Sequence, residues 1–169
     1  MIKPIIRDYG LNFKSLSDLI RVDKIVIHHT GDEVDDDLSA EEIHRIHLAP
    51  PNEWAGIGYH YVIRKNGRIE QGRPEWAIGS HAYGENWHTL GVHVCGNFCI
   101  AEPTQFQIES LAYLVGWLCD KYGLIPSDKT VVGHCDINAT ACPGDNLYDI
   151  LDVIRGKAVW YMQNYQEGD

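Results

Sequence analysis

The stretch Lys24-Ile25-Val26-Ile27-His28-His29-Thr30 decides the fold. Its short run of β-branched apolar residues predicts a buried strand near the centre of a sheet. Two histidines end this strand. Because side chains alternate along a strand, we expect His28 and His29 to point to opposite faces of the sheet.

A second informative stretch is Val131-Val132-Gly133-His134-Cys135-Asp136-Ile137-Asn138-Ala139-Thr140-Ala141-Cys142-Pro143-Gly144. Its first residues predict a short strand over residues 130–132, followed by a loop that carries His134 and Cys142. An imidazole and a thiolate are ligand types that suit zinc. If His28 joins them, zinc has three protein ligands and an open fourth position, which is the pattern of catalytic rather than structural sites.

The composition is that of one ordinary globular domain, with 169 residues and 44% hydrophobic content. The net charge of −10 argues against nucleic acid or anionic lipid as the main partner. No apolar run approaches the ~18 residues of a membrane span. The five cysteines show no spacing of a disulfide scaffold, which favours reduced thiols, one of them a metal ligand. The acidic run at residues 32–37 is interpreted as a solvated loop.

Other elements are predicted from helix caps, turn residues and hydrophobic periodicity. They are helices at residues 15–20, 39–48, 104–122 and 146–154, with one more within 157–169, and strands at 56–64, 69–71 and 91–96. Residues 72–90 are predicted to be irregular, which in a compact domain usually indicates function. We therefore expect a single α/β domain with a central mixed β-sheet flanked by α-helices.

Several segments, in this order, carry a resemblance to a known family. They are Ile27-His28-His29-Thr30, Ile57-Gly58-Tyr59-His60-Tyr61-Val62-Ile63 with Asn66-Gly67, Gly79-Ser80-His81-Ala82, Glu85-Asn86 through Leu90-Gly91-Val92, and Gly133-His134 with Ala141-Cys142-Pro143-Gly144. Together they resemble the zinc-dependent N-acetylmuramoyl-L-alanine amidases of the type-2 fold, which include phage lysozyme amidases and animal peptidoglycan recognition proteins.

The resemblance covers roughly residues 24–154 and implies a peptidoglycan recognition protein-like amidase fold. We accordingly divide the chain into an N-terminal extension at 1–23, an amidase catalytic domain at 24–155 and a C-terminal tail or helix at 156–169. The implied partner is peptidoglycan or a muropeptide, without nucleic acid or membrane, and the implied state is a monomer.

The implied reaction is hydrolysis of the amide that joins N-acetylmuramic acid to L-alanine. The resemblance assigns one zinc ion to His28, His134 and Cys142. It assigns Tyr59 and Thr140 to positioning water and stabilising the oxyanion. Phage-type members carry a lysine at the position of Thr140, whereas recognition-protein amidases resemble this chain in having threonine. A threonine hydroxyl can donate a hydrogen bond there but brings no charge.

The general base is left open between two residues, because the sequence contains no His-Glu-x-x-His motif. In the resemblance, His93 corresponds to a position where some bacterial relatives carry a glutamate, and it is a candidate proton shuttle at neutral pH. The alternative for His93 is a histidine that simply packs in the sheet. Tyr59 is the other candidate base.

Four residues are assigned to substrate binding: His81, Asn86, Trp76 and His29. The first three belong to the irregular segment and offer polar groups for amides and an aromatic face for a sugar. His29 is a candidate for the same cleft or, if it faces away, for orienting a neighbouring ligand.

Three other functions remain open at this point. The chain is alternatively a peptidoglycan-binding module without turnover, a cysteine hydrolase that uses Cys142 with His134, or a regulatory partner, as some phage relatives bind a polymerase. Further metal sites are considered at His93 with Cys95 and Cys99, and at His44 with His47.

The N-terminal residues contain no apolar run long enough for a signal peptide. We therefore expect synthesis in the cytoplasm. The protein would then act on the cell wall by another export or lysis route, or on cytoplasmic muropeptides.

Overall fold

The computed structural model describes residues 1–31 and 33–166. Within these residues lies one six-stranded mixed sheet with the order β1-β4-β3-β5-β2-β6. The strands are β1 Ile6–Arg7, β2 Lys24–His29, β3 Tyr61–Ile63, β4 Ile69–Gln71, β5 Thr89–Val94 and β6 Val131–Gly133. The helices are α1 Ala40–Leu48, α2 Gln105–Tyr122, α3 Asp145–Tyr148 and α4 Leu151–Asn164, with 3₁₀ turns at Asn86–His88 and His134–Asp136. The predicted α/β architecture is confirmed.

Strand β2 lies inside the sheet, between β5 and β6, and runs parallel to both. Its apolar residues are fully buried, as the β-branched run predicts. The register pairs Ile27 with Gly133 and His28 with His93. The carboxyl ends of three parallel strands therefore lie side by side, and the residues that follow them share one edge of the sheet.

The two faces of the sheet are covered differently. Ile25 and Ile27 point into the main core, which is filled by α2 and α4. Val62 points to the opposite face and packs with Ala40 and Ile43 of α1 in a smaller cluster. Helix α1 shares that face with the N-terminal residues Tyr9, Leu11 and Phe13, which pack against the same cluster.

The N-terminal residues pack on the domain. Strand β1 adds an edge to the sheet by pairing with β4, and the Met1 side chain is buried in the main core. The hydroxyl of Tyr9 donates to Glu70, a fully buried carboxylate that also accepts from the backbone N–H of Ala40 at the start of α1. Glu70 thus joins the hairpin, the N-terminal segment and α1.

Three predicted elements are wrong in extent or type. The strand predicted at 91–96 is observed as β5 at Thr89–Val94, two residues earlier. Residues 15–20 form no helix, because their backbone pairs with the 76–78 segment instead: the N–H of Leu19 donates to the carbonyl of Trp76. Of residues 56–64, only Tyr61–Ile63 joins the sheet. The preceding Gly58 donates its N–H to His47 Nδ1 and accepts from the N–H of Ser80, so it has no neighbouring strand.

The C-terminal helices also differ from the prediction. The segment 146–154 is divided into α3 and the first turn of α4. Helix α4 then continues without a break past residue 155 to Asn164, so the predicted tail helix is part of it. Residues 167–169 of the predicted tail and Asp32 of the acidic run lie outside the described residues. No helix in the described part of the chain is long and apolar enough to cross a membrane.

The predicted capping boxes are confirmed. Both α1 and α2 begin with a capping box, at Ser39 and Thr104, and α2 ends at Gly123 in the left-handed conformation. Thr104 Oγ1 accepts from the N–H of Gln107 at 3.1 Å and donates to the carbonyl of Lys65 at 2.7 Å. The cap therefore also fixes α2 to the β3–β4 turn.

We expect Thr104→Ala to lower the free energy of unfolding by about 1–2 kcal/mol, because it leaves the N–H of Gln107 without its cap. Thr104→Ser is the matched control, since it retains the hydroxyl. Urea unfolding followed by circular dichroism measures both variants. An alanine variant as stable as wild type would contradict this role of the cap.

Candidate metal centre and active site

Three side chains from distant parts of the sequence converge at the carboxyl edge of the sheet. His28 ends β2, His134 follows β6, and Cys142 lies in the loop beyond it. One ligand atom from each lies within 4.8 Å of the other two. His28 Nδ1 is 3.7 Å from Cys142 Sγ, close to the about 3.6 Å that separates nitrogen and sulfur ligands around a tetrahedral zinc ion. The donor set and its spacing fit a metal ion.

The loop that carries Cys142 is held back against β6 by its own backbone. The N–H of Cys135 donates to the carbonyl of Cys142 at 2.8 Å, and the N–H of Gly133 donates to Asp136 at 2.8 Å. The backbone N–H of His29 also donates to Cys142 Sγ at 3.4 Å. The sulfur therefore reaches His28 because the loop closes beside the end of β2.

Each histidine ligand has a partner on its other ring nitrogen. His28 Nε2 lies 3.0 Å from His81 Nδ1, and His134 Nε2 lies 3.0 Å from the amide oxygen of Asn138. That oxygen can only accept, so His134 carries its hydrogen on Nε2 and leaves the Nδ1 lone pair for a metal. The amide nitrogen of Asn138 is in turn fixed by the carbonyl of Tyr83 at 3.1 Å.

Burial sets the protonation of the three ligands. It lowers the pKa of His28 well below its ordinary value, an effect that the neighbouring histidines His81 and His134 strengthen. It also lowers the pKa of His134, so both imidazoles are neutral and able to ligate. Burial raises the pKa of Cys142 to about 12, so without a metal this residue is a thiol. A thiol held in this form is a poor nucleophile, which argues against a cysteine hydrolase.

Tyr59 and His93 stand next to the ligands. The Tyr59 ring centre is 5.1 Å from that of His28 and 4.7 Å from that of His93. Burial raises the pKa of Tyr59, so its hydroxyl keeps its hydrogen and can donate it. Burial lowers the pKa of His93 to about 3, and its Nε2 lies 3.2 Å from Thr30 Oγ1.

The direction of the hydrogen bond between Thr30 and His93 shows which ring nitrogen of His93 carries the lone pair. Thr30 donates its hydroxyl hydrogen to Asp36 at 2.8 Å, so it accepts from His93 Nε2–H. His93 Nδ1 is then a buried lone pair with no hydrogen-bond partner among the described residues. Sequence reasoning missed Thr30, although it directly follows the two histidines of β2.

Thr140 lies at the exposed rim of the same loop. Its hydroxyl oxygen accepts from the backbone N–H of Cys142 at 3.2 Å. The hydroxyl hydrogen is therefore not used in that contact and can be donated outward.

The sequence profile of a family described as N-acetylmuramoyl-L-alanine amidase matches residues 18–145, which include all three ligands. The chain belongs to this amidase family. The endolysin of Escherichia phage T7 is 31% identical over 130 residues, covering 74% of this chain and 82% of the phage protein. A human N-acetylmuramoyl-L-alanine amidase is 33% identical over 98 residues, covering 58% of this chain but only 17% of the human protein.

Solved structures agree with this membership. The N-acetylmuramoyl-L-alanine amidase LysC from Clostridium intestinale superimposes with a TM-score of 0.81 at 36% identity, covering 92% of this chain and 97% of that one. The Drosophila protein PGRP-LB superimposes with a TM-score of 0.76 at 22% identity, covering 86% and 92% of the two chains, and shares the fold.

The four residues predicted to bind substrate occupy different surroundings in this amidase. His81 contacts the ligand His28, and Asn86 Oδ1 accepts from the backbone N–H groups of His81 and Ala82, both at 2.9 Å. Asn86 therefore shapes the turn that carries His81. The His29 ring lies on the other face of β2, as alternation predicts, and accepts from the N–H of Phe98 at 3.1 Å.

Trp76 is not brought to the ligands. It is half-exposed and lines a cleft with Ile20, Arg21 and Tyr122, which lies beside the start of β2 rather than its end. The structure therefore gives no support to the predicted contact of Trp76 with the substrate at the metal centre.

The other metal sites considered do not form in the described residues, where His28, His134 and Cys142 are the one group of suitable spacing. His44 has both ring nitrogens engaged, by the carbonyl of Asn12 and the N–H of Ile57. His47 Nδ1 accepts from the N–H of Gly58. These two histidines therefore hold loops in place.

Zinc binding by the metal-free protein at pH 7 is expected to release about one proton per ion. The thiol of Cys142 must lose its proton, since its pKa is about 12, whereas His28 and His134 are already neutral. The apparent affinity should thus rise about tenfold per pH unit above pH 6.5. Calorimetry in buffers of different ionisation enthalpy counts the protons. Release of no proton would show that Cys142 does not bind zinc as a thiolate.

Proposed function

We propose that this amidase hydrolyses the bond between N-acetylmuramic acid and L-alanine with one zinc ion held by His28, His134 and Cys142. The observation that carries the proposal is the convergence of these three ligand atoms within 4.8 Å, in a chain of this family. Bound zinc supplies a Lewis acid that polarises the scissile carbonyl and activates water for attack. The remaining steps belong to side chains of the protein.

Tyr59 is proposed to donate its hydroxyl hydrogen to the oxygen that becomes negative during attack. Its raised pKa keeps it a donor at every working pH, and a buried donor aimed at developing charge stabilises a transition state strongly. Thr140 is proposed to donate a second hydrogen bond from the rim of the site. Both donors are neutral.

Of the two candidate bases, His93 and Tyr59, His93 is proposed as the proton acceptor. Tyr59 retains its proton, whereas His93 presents the unpartnered lone pair of Nδ1. Its low pKa makes His93 a weak base, so it would relay a proton rather than store one. Its ring also packs on that of Tyr59 and limits the directions in which the phenol can point.

The alternative is a peptidoglycan-binding module of the same fold without turnover. A module of this kind has no need for a metal with an open coordination position. The complete set of three ligands, with a phenol beside it, favours the enzyme. We propose that both intact sacculi and isolated muropeptides are substrates.

Cys142→Ser is expected to abolish amide hydrolysis, because a serine hydroxyl is a poor zinc ligand at neutral pH. Cys135→Ser is the matched control from the same loop and should keep wild-type activity. The assay measures new α-amino groups on L-alanine after digestion of sacculi and muropeptides, with and without a chelator. Full activity in chelator, or an active Cys142→Ser variant, would overturn the zinc mechanism. Absence of any released stem peptide with wild type would favour the binding module.

Tyr59→Phe is expected to reduce kcat by about 10²–10³-fold, the usual effect of removing one oxyanion donor. Zinc affinity should not change, because the phenol is not one of the three ligands. Steady-state kinetics and zinc competition with a chromogenic chelator separate the two effects. A phenylalanine variant with unchanged kcat would exclude this role of the hydroxyl.

A further inference from the structure

A chain of hydrogen bonds runs from His28 into the interior of the domain. His28 Nε2 lies 3.0 Å from His81 Nδ1, and His81 Nε2 lies 3.4 Å from Thr89 Oγ1. Thr89 Oγ1 lies 2.9 Å from the backbone carbonyl of Glu85. The three side chains are buried, with exposures of 1%, 9% and 0% from His28 to Thr89.

The last acceptor in this chain fixes the direction of every bond. A carbonyl only accepts, so Thr89 donates its one hydroxyl hydrogen to Glu85. Thr89 must then accept from His81 Nε2–H, which leaves a lone pair on Nδ1 of the neutral ring. His28 Nε2 therefore carries a hydrogen and donates it to His81. The lone pair of His28 is left on Nδ1, the atom that faces Cys142 Sγ.

The space around His81 holds its ring in this position. A Cβ atom at Gly91 would lie 2.6 Å from His81 Cγ, and one at Gly79 would lie 2.4 Å from His81 Cδ2. The ring thus rests on backbone at two points. The N–H of His81 is held by Asn86 Oδ1 at 2.9 Å. With both ring nitrogens engaged, His81 has no ring nitrogen left to bind substrate.

We propose that His81 is a positioning residue that, backed by Thr89, fixes the His28 tautomer with its lone pair on Nδ1. The role in metal binding rests on the proposed function, because it assumes that zinc binds His28. The tautomer itself does not depend on zinc and can be observed in the metal-free protein. Partners of this kind commonly change metal affinity by 10–100-fold when they are removed.

The test uses two matched pairs of variants. Thr89→Val keeps the side-chain shape but removes the hydroxyl, and Thr89→Ser restores it. His81→Leu removes the acceptor, and His81→Asn places an amide oxygen near the position of Nδ1. Each full-length variant is checked for folding by its thermal transition and its amide spectrum.

The first readout is the tautomer of His28 in the metal-free protein, observed by long-range ¹H–¹⁵N correlation of labelled histidine. Wild type and Thr89→Ser should show His28 protonated on Nε2, and Thr89→Val should show a mixture of tautomers. The second readout is zinc affinity by chelator competition. His81→Leu should bind zinc about 10–100-fold more weakly, with partial recovery in His81→Asn.

Two results would overturn the proposal: a wild-type His28 protonated on Nδ1, or His81→Leu and Thr89→Val variants that bind zinc as tightly as wild type. Failure of the proposed function looks different. A wild-type chain that binds no zinc, but shows the Nε2–H tautomer and loses it in Thr89→Val, would contradict the zinc enzyme and support the hydrogen-bond assignment.

Discussion

The structure depends on the parallel pairing of β2 with both of its neighbours. This register sets His28 opposite His93 on one side and Ile27 opposite Gly133 on the other. The residue after Gly133 is the second candidate ligand, so the backbone ladder brings the two histidines together, and their ring centres lie 4.5 Å apart. A shift of one residue in β2 would turn His28 into the main core and expose Ile27 to the site.

The same strand determines which face of the sheet carries the candidate site and which face carries the main core. His28 and His29 alternate, so one enters the site while the other contacts the N–H of Phe98 on the far face. The far face carries the two long helices that supply most of the core. The near face is covered by α1 and by the N-terminal residues Tyr9, Leu11 and Phe13, which pack against the cluster around Val62.

Much of this fold could be predicted because its signals are local. The β-branched run of β2 and the capping residues Ser39 and Thr104 each predict their local conformation from only a few neighbouring residues. The helix predicted at residues 15–20 is wrong, although the local pattern favours a helix. The backbone of these residues pairs instead with the distant segment around Trp76. Propensity is a weak prior where tertiary hydrogen bonds are available.

The sequence predicts the three candidate ligands of the site, but not the residues that hydrogen-bond to the site histidines and hold them in place. His28, His134 and Cys142 are the residue types that bind zinc, and the family resemblance joins them. The roles of Asn138, Thr30 and Thr89 depend on hydrogen-bond directions that a sequence does not contain. Its polarity predicts that His81 lines the cleft, whereas the structure surrounds it with His28, Thr89 and backbone. The His81 ring packs against Gly79 and Gly91, and these two glycines are the signal for its position that the sequence contains.

Charge explains why so many histidines can gather in this pocket. His28, His81 and His93 are buried close together, and as imidazolium ions they would repel each other and lose their hydration. Burial lowers their pKa values, so the cluster is neutral and the cost of burying charge does not arise. The exposed rim residue Thr140 is neutral as well. The developing oxyanion would therefore meet neutral donors, Tyr59 and Thr140, beside buried histidines that are themselves neutral. Bound zinc would supply positive charge at the three candidate ligands, and the partners of His28 would contribute to the chemistry by directing its lone pair toward that ion.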